Sequence, residues 1–222
     1  LGYCYSEQWK YSEAEEMFRK AVEINPNSLD AHIALGYCYS EQGKYAQAEE
    51  AFKRAIEISP SSVGAYIALG WCYSNQEKYA QAEEMFKRGI NIESQEGNTA
   101  YLDFAQYYQE RKMNLEAEEM FRKAIEINPR GLDAYIGLGW YYSQQERYAQ
   151  AEEVFKKGLA WEPKGDNTVY LELAQYYQER KMYPQAEEMC KKGIEVNPNN
   201  ECAYRCLGLL NQLRGKDEKA QI

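Results

Sequence analysis

Six times along the chain two glutamates are followed, four residues later, by two cations. The series begins with Glu15-Glu16 before Arg19-Lys20 and Glu49-Glu50 before Lys53-Arg54, and runs to Glu187-Glu188 before Lys191-Lys192. Paired carboxylates are the residue types of general acid–base catalysis and of hard-metal binding. Their identical placement in six units argues against both, because a catalytic constellation needs asymmetry and a pocket. Glutamate four residues ahead of a cation is also the favoured order for surface pairing on a helix. The pairs therefore read as a solvated outer face.

The other reactive types lead to the same reading. Cys4, Cys38 and Cys72 recur at one period inside aromatic, helix-like runs, which suits small buried core residues. Cys202 and Cys206 stand four apart on one helical face, but the only histidine, His32, is remote in sequence and there is no CxxC pair. His32 itself occupies a column held elsewhere by Tyr66, Tyr101, Tyr135, Tyr170 and Tyr204, so it is a packing residue first. No nucleophile–base–orienter set, phosphate-cradling glycine loop or metal-ligand spacing can be assembled. No catalytic residue, metal site or cofactor is expected. All six cysteines read as reduced thiols, which points to the cytoplasm.

Composition narrows the function further. Asp and Glu number 35 against 26 Lys and Arg, a net charge of -9 over 222 residues. Neutralising nucleic-acid phosphates needs a basic stripe, and an acidic chain lacks the means. No apolar run approaches the length that spans a bilayer.

The elements that carry these residues are repeated. Leu1-Gly2-Tyr3-Cys4-Tyr5-Ser6-Glu7-Gln8 returns unchanged as Leu35 to Gln42. Alanines recur at Ala14, Ala48, Ala82, Ala117, Ala151, Ala186 and Ala220, with spacings of 34 or 35 residues. Within residues 29–62, His32, Leu35, Gly36 and Tyr39 make one helical stripe, and Tyr45, Ala48, Phe52, Ala55 and Ile56 make a second. Gln42-Gly43-Lys44 supplies the turn between them, and Pro60 with its flanking serines ends the unit. Each unit is two antiparallel helices, with small residues such as Gly36 and Ala48 letting the backbones approach. The boundaries fall at 29–62, 63–97, 98–131, 132–166 and 167–200, with partial units at 1–28 and 201–222. About 14 helices or part-helices follow, and no strand. A longer period is superposed: residues 63–131 match 132–200, and Asn98 and Asn167 stand where helix N-caps are expected.

These units resemble the tetratricopeptide repeat family, whose pattern of aromatic, Leu-Gly, Tyr, Ala, Phe, Ala and Pro reads here as Tyr135, Leu138-Gly139, Tyr142, Ala151, Phe155, Gly158 and Pro163. Phe104-Ala105 and Leu173-Ala174 replace Leu-Gly, Ser94 replaces the proline and Cys190 replaces the Phe, which implies local repacking. The resemblance implies an all-α, right-handed superhelical solenoid of helix pairs.

The first helices carry a surface of their own. Opposite the stripe of His32, Leu35, Gly36 and Tyr39 lie Ile33 and Tyr37, then Ile67 and Trp71, then Ile136 and Trp140. Aromatics repeated on a face that water alone should line mark a contact surface. In the resembled family this face lines a concave groove for extended peptides or partner helices, which makes Tyr3, Ile33, Tyr37, Ile67, Trp71, Ser74, Gln106, Gln109, Ile136, Trp140, Ser143, Gln175 and Gln178 the candidate binding residues. Trp71 and Trp140 alternate with Gln106 and Gln175 in one column, and glutamine can bond a ligand backbone without reading its side chains. With almost no cations before Arg205, the face suits a neutral or basic protein segment. The leading expectation is a protein-interaction scaffold that binds neither nucleic acid nor membrane. The alternatives are a substrate-recruiting arm of a larger, glycosyltransferase-like enzyme and a self-assembling module. Leu209 and Leu213, with Leu207 and Leu210, leave the last first helix, expected from Glu201 to Arg214, apolar nearly all round, so end-to-end association through the terminal repeats is expected.

Overall fold

The structure, a computed structural model, describes residues 11–93, 97–161 and 165–220, with side chains through Arg214. Tyr3, Cys4, Ser94 and Pro163 lie outside the described residues. All regular structure within them is helical. Twelve helices follow in order: α1 Tyr11–Ile24, α2 Leu29–Glu41, α3 Tyr45–Ile58, α4 Val63–Asn75, α5 Tyr79–Ile92, α6 Thr99–Glu110, α7 Asn114–Ile127, α8 Leu132–Gln144, α9 Tyr148–Leu159, α10 Thr168–Glu179, α11 Tyr183–Val196 and α12 Glu201–Ala220. Even-numbered helices are the first members of the repeats and odd-numbered ones the second. The fold class is the all-α helical repeat expected from the period.

The chain divides into two compact units, residues through Ala117 and residues from Glu118 on. In the first, α2 packs on α3 and α4 on α5 as pairs, and the first helices α2, α4 and α6 touch in succession. In the second, α8 pairs with α9 and α10 with α11, while α8, α10 and α12 touch in succession.

One turn closes each of the five pairs whose two helices are both described. Gly43, Glu77, Lys112, Glu146 and Lys181 all have φ between 56° and 71°, just past the end of a first helix. The next amide reaches back to the helix, as in Lys44 N–H to the Tyr39 carbonyl at 2.9 Å and Met182 N–H to the Tyr177 carbonyl at 2.8 Å. This left-handed C-terminal motif satisfies carbonyls that the helix end would leave open. Only the first of the five positions is glycine, so four residues hold a conformation that a Cβ disfavours.

The packing explains the small residues. A Cβ on Gly36 would lie 2.4 Å from the Phe52 ring, and one on Gly139 would lie 2.7 Å from Phe155. Glycine at these positions is what lets each phenylalanine seat against the first helix of its own pair. Phe52, Phe86 and Phe155 are fully buried. Cys38 and Cys72 are core residues as expected, donating S–H to the carbonyls of Tyr11 and Tyr45. Tyr107 and Tyr176 fill the same column and donate their hydroxyls to the carbonyls of Tyr79 and Tyr148. His32 acts as its column predicts: its Nε2 lies 3.0 Å from the Pro26 carbonyl, as the Tyr135 hydroxyl lies 3.0 Å from that of Pro129.

Three expectations need correction. Asn98 and Asn167 begin helices, but neither side chain caps one. Glu93 accepts from Thr99 N at 2.7 Å and Asp166 from Thr168 N at 2.9 Å, because a carboxylate opposes the helix dipole better than an amide. Asn167, 2% exposed, instead donates to the Gly193 carbonyl and accepts from Asn200, pinning α11 and the start of α12. Second, α12 runs unbroken through Gly215 to Ala220 rather than stopping at Arg214. One glycine costs a helix only about 1 kcal/mol, and nothing there forces a turn.

The third concerns the glutamate pairs. The i,i+4 ion pairs form in all six second helices, although Arg54 turns to Glu57 instead. In most of them, however, the first glutamate is buried or part-buried and also reaches the next repeat. Glu15 accepts from Gln42 and Lys44, Glu49 from Tyr73 and Lys78, Glu118 from Tyr142 and Arg147, and Glu152 from Tyr177, while Glu187 pairs with Arg214 at 3.7 Å. These glutamates are joints between repeats, and their exposed partners are the ones that fit the solvated-face reading.

Candidate binding face

On the first-helix face of the first unit, the aromatic column is rigid. Tyr37 sits edge-on to Phe52, ring centroids 5.3 Å apart, and remains 45% exposed. Trp71 repeats the arrangement on Phe86 at 5.5 Å and also meets Tyr107. Its indole N–H donates to Asp103 Oδ1 at 2.8 Å, linking α4 to α6. Burial holds the Asp103 carboxyl above its ordinary value, with the indole hydrogen bond pulling the other way. Burial, and then the Asp103 charge, push the Tyr37 phenol up. Tyr37, Trp71 and Asp103 thus share one surface, with Gln106 exposed beside them and Ile33, Ser74 and Gln109 half-buried.

The second unit repeats the device. Trp140 stands edge-on to Phe155 at 5.7 Å and donates to Glu172 Oε2 at 2.6 Å. Gln175 is exposed, while Ile136, Ser143 and Gln178 are half-buried. Gln106 and Gln175 each donate to the carboxylate one turn on, Glu110 and Glu179. Their amides are therefore partly engaged already.

Two features depart from the expected face. Ile67 is 5% exposed and packs against the α5 backbone near Gly89, so it presents no surface. The carboxylates Asp103 and Glu172 were absent from the candidate residues, yet they fix the tryptophans. Their signal was available: the column that holds them has Ala34, Ala68 and Gly137 elsewhere, and turns acidic only one repeat after a tryptophan.

Clefts also lie on the second-helix side, one lined by residues including Arg19, His32, Tyr39, Glu50 and Arg54, another by Arg122, Tyr135, Tyr142, Glu153 and Lys157. Much of their charge is committed to the ion pairs described above. Among the described residues no three His, Cys, Asp or Glu side chains gather as a metal site, and no helix is long and apolar enough to cross a membrane.

Comparison with known proteins agrees with this geometry. Residues 7–89 match the model of anaphase-promoting complex, cyclosome, subunit 3. Residues 98–160 and 142–213 match two tetratricopeptide repeat models. Among curated proteins none matches the chain. Of solved structures, yeast Tom70 aligns with a TM-score of 0.71 at 17% identity, over 93% of this chain and 44% of that one. A tetratricopeptide repeat protein from Parabacteroides merdae aligns at 0.58 and 21% identity, over 95% and 81%. The Cut9–Hcn1 hetero-tetramer of the APC/C aligns at 0.53 and 20%, over 94% of this chain and 41% of that one. At these identities the likeness is one of fold. The repeat period, the Phe-on-small-residue packing of the pairs and the two repeat models spanning residues 98–213 give one result: the chain belongs to the tetratricopeptide repeat family.

Proposed function

We propose that the chain is a protein-interaction scaffold that takes a peptide or protein segment along its first-helix faces. One observation carries this reading: Trp71 and Trp140 are half-exposed, held rigid edge-on to core phenylalanines, and each bonded to a carboxylate of the next first helix. A rigid aromatic ring gives contact area at small entropic cost, and an adjacent fixed carboxylate favours cations. The segment is neutral to basic, proline-containing segments included. The role is non-catalytic, and the free cysteines suit a reducing compartment such as the cytoplasm. Fluorescence anisotropy with labelled basic, neutral and acidic peptides of one length tests the preference. Tighter binding of the acidic set, or binding that Trp71→Ala and Trp140→Ala leave unchanged, contradicts it.

A second reading, self-association, rests on α12. Tyr204 and Leu209 are 52% and 48% exposed, and Gly208 stands open among the described residues where Gly36, Gly70 and Gly139 each receive a phenylalanine ring. The occupant that continues this interface is the second-type helix of another copy, with its own aromatic seated on Gly208.

A further inference from the structure

In five of the six second helices one column holds phenylalanine: Phe18, Phe52, Phe86, Phe121 and Phe155; in α11 it holds Cys190. The residue that faces this column from the following first helix is small or acidic, and in α12 it is Cys206. The approach at this crossing is close: a Cβ on Gly137, the counterpart of Cys206, would lie 2.7 Å from the Phe121 ring. Two short side chains have thus replaced a ring and its socket. Cys190 is fully buried and Cys206 half-buried, and each thiol is the leading influence on the other's acidity.

We propose that Cys190 and Cys206 are an oxidant-responsive thiol pair that closes to a reversible disulfide, tying α11 to α12. The asymmetry of the pair sets the order of events. The two thiols act on each other unequally: Cys190 holds the Cys206 thiol below its ordinary range, while Cys206, and then burial, hold the Cys190 thiol above it. Cys206 is also the member that solvent reaches, so it meets the oxidant first. With hydrogen peroxide as oxidant, the Cys206 sulfur attacks one peroxide oxygen. The O–O bond breaks, an S–O bond forms, and one water leaves. The Cys190 sulfur then attacks the Cys206 sulfur. An S–S bond forms, the S–O bond breaks, and the departing hydroxide takes the Cys190 proton as a second water. Two thiols lose two electrons in all, and one peroxide becomes two waters. Cys38 and Cys72 are poorly placed for such chemistry, since both are buried and donate to backbone carbonyls.

Trypsin separates the cysteines at issue, because Lys181, Lys191, Lys192, Arg205 and Arg214 bound peptides 182–191, 193–205 and 206–214. The reduced protein is treated with hydrogen peroxide, blocked with N-ethylmaleimide, digested and weighed by mass spectrometry. The expected product is peptide 182–191 joined to 206–214, two hydrogens lighter than the sum and separated again by dithiothreitol. Cys202→Ser leaves this product, whereas Cys206→Ser removes it. Backbone amides of α12 should exchange at least tenfold more slowly in the oxidised protein. Recovery of 182–191 fully blocked overturns the proposal, whether Cys206 is then found as sulfinic acid, joined to Cys202 or joined to another chain. The primary reading uses the unsubstituted protein, so a variant that fails to fold does not obscure it.

Discussion

Trp71 Nε1 lies 2.8 Å from Asp103 Oδ1, so the most prominent aromatic of one repeat is oriented by an acid of the next. The pairing makes that part of the face a composite: neither repeat presents it alone. Trp71→Ala should weaken binding of a basic segment by about 2 kcal/mol, as should Trp140→Ala, while circular dichroism keeps its helical signal. Glu119→Ala on the second-helix side should leave binding unchanged. Equal losses from both sides, measured by anisotropy titration, remove the first-helix face from consideration.

Asp103 and Glu118 should respond to acid in opposite ways. Arg147 foremost, with Tyr142 and Arg122, holds the Glu118 carboxyl below its ordinary value. The stability it supplies is present above the unfolded carboxylate range and is lost as pH falls through the folded value. Asp103 is raised by burial, so its folded form is favoured in acid and that advantage disappears as pH rises through the folded value. Asp103→Asn, which still offers the indole an acceptor, should raise the melting temperature at pH 7 and lose that gain near pH 3. Thermal melts across this range decide the sign.

The joint glutamates differ from their neighbours in the sequence. Glu118→Ala leaves Tyr142 and Arg147 without their common acceptor and should cost about 2–3 kcal/mol in urea unfolding. Glu119→Ala should cost nothing measurable. Equal small effects would mean that Glu118 is merely another surface charge.

Glu77, Lys112, Glu146 and Lys181 adopt the left-handed conformation that Gly43 adopts freely. Replacing any one by glycine should stabilise the protein by about 0.5–1 kcal/mol, and Gly43→Ala should cost a similar amount. Chemical denaturation of the four single variants checks this, and a loss of stability in all of them would show that the side chains outweigh the strain.

Sedimentation across a wide concentration range tests self-association. The expected result is a mass that rises with concentration and returns to monomer with Leu209→Glu. A constant monomer mass in both proteins rejects the second-copy reading of α12.

The sequence made the period, the helix pairs and the core columns readable, since Leu35, Tyr39, Ala48 and Phe52 repeat with the phase of two packed helices. Helical phase did not separate the sides of a first helix. Such a helix touches its own partner, the preceding second helix and the neighbouring first helices, so Ile67 is enclosed where two-sided amphipathicity places it outside. Long-range polar bonds were hidden for a different reason. Glu15 and Glu16 look alike in sequence, and only the crossing of the next helix makes one a joint and leaves the other in water. Asn167 had the residue type of a cap but sat within reach of Gly193, whose carbonyl it took instead.

The alternation of tryptophan and acid also limits how such a gene can change length. Excising one 34- or 35-residue segment, such as 98–131, would bring Trp71 against Gly137 in place of Asp103 and strand the indole N–H. Removing or inserting two consecutive segments keeps every tryptophan beside its acid. Recombination that removes only the segment after a tryptophan therefore breaks a joint, whereas exchange of two consecutive segments keeps the pairing. The heritable quantum of this array is four helices.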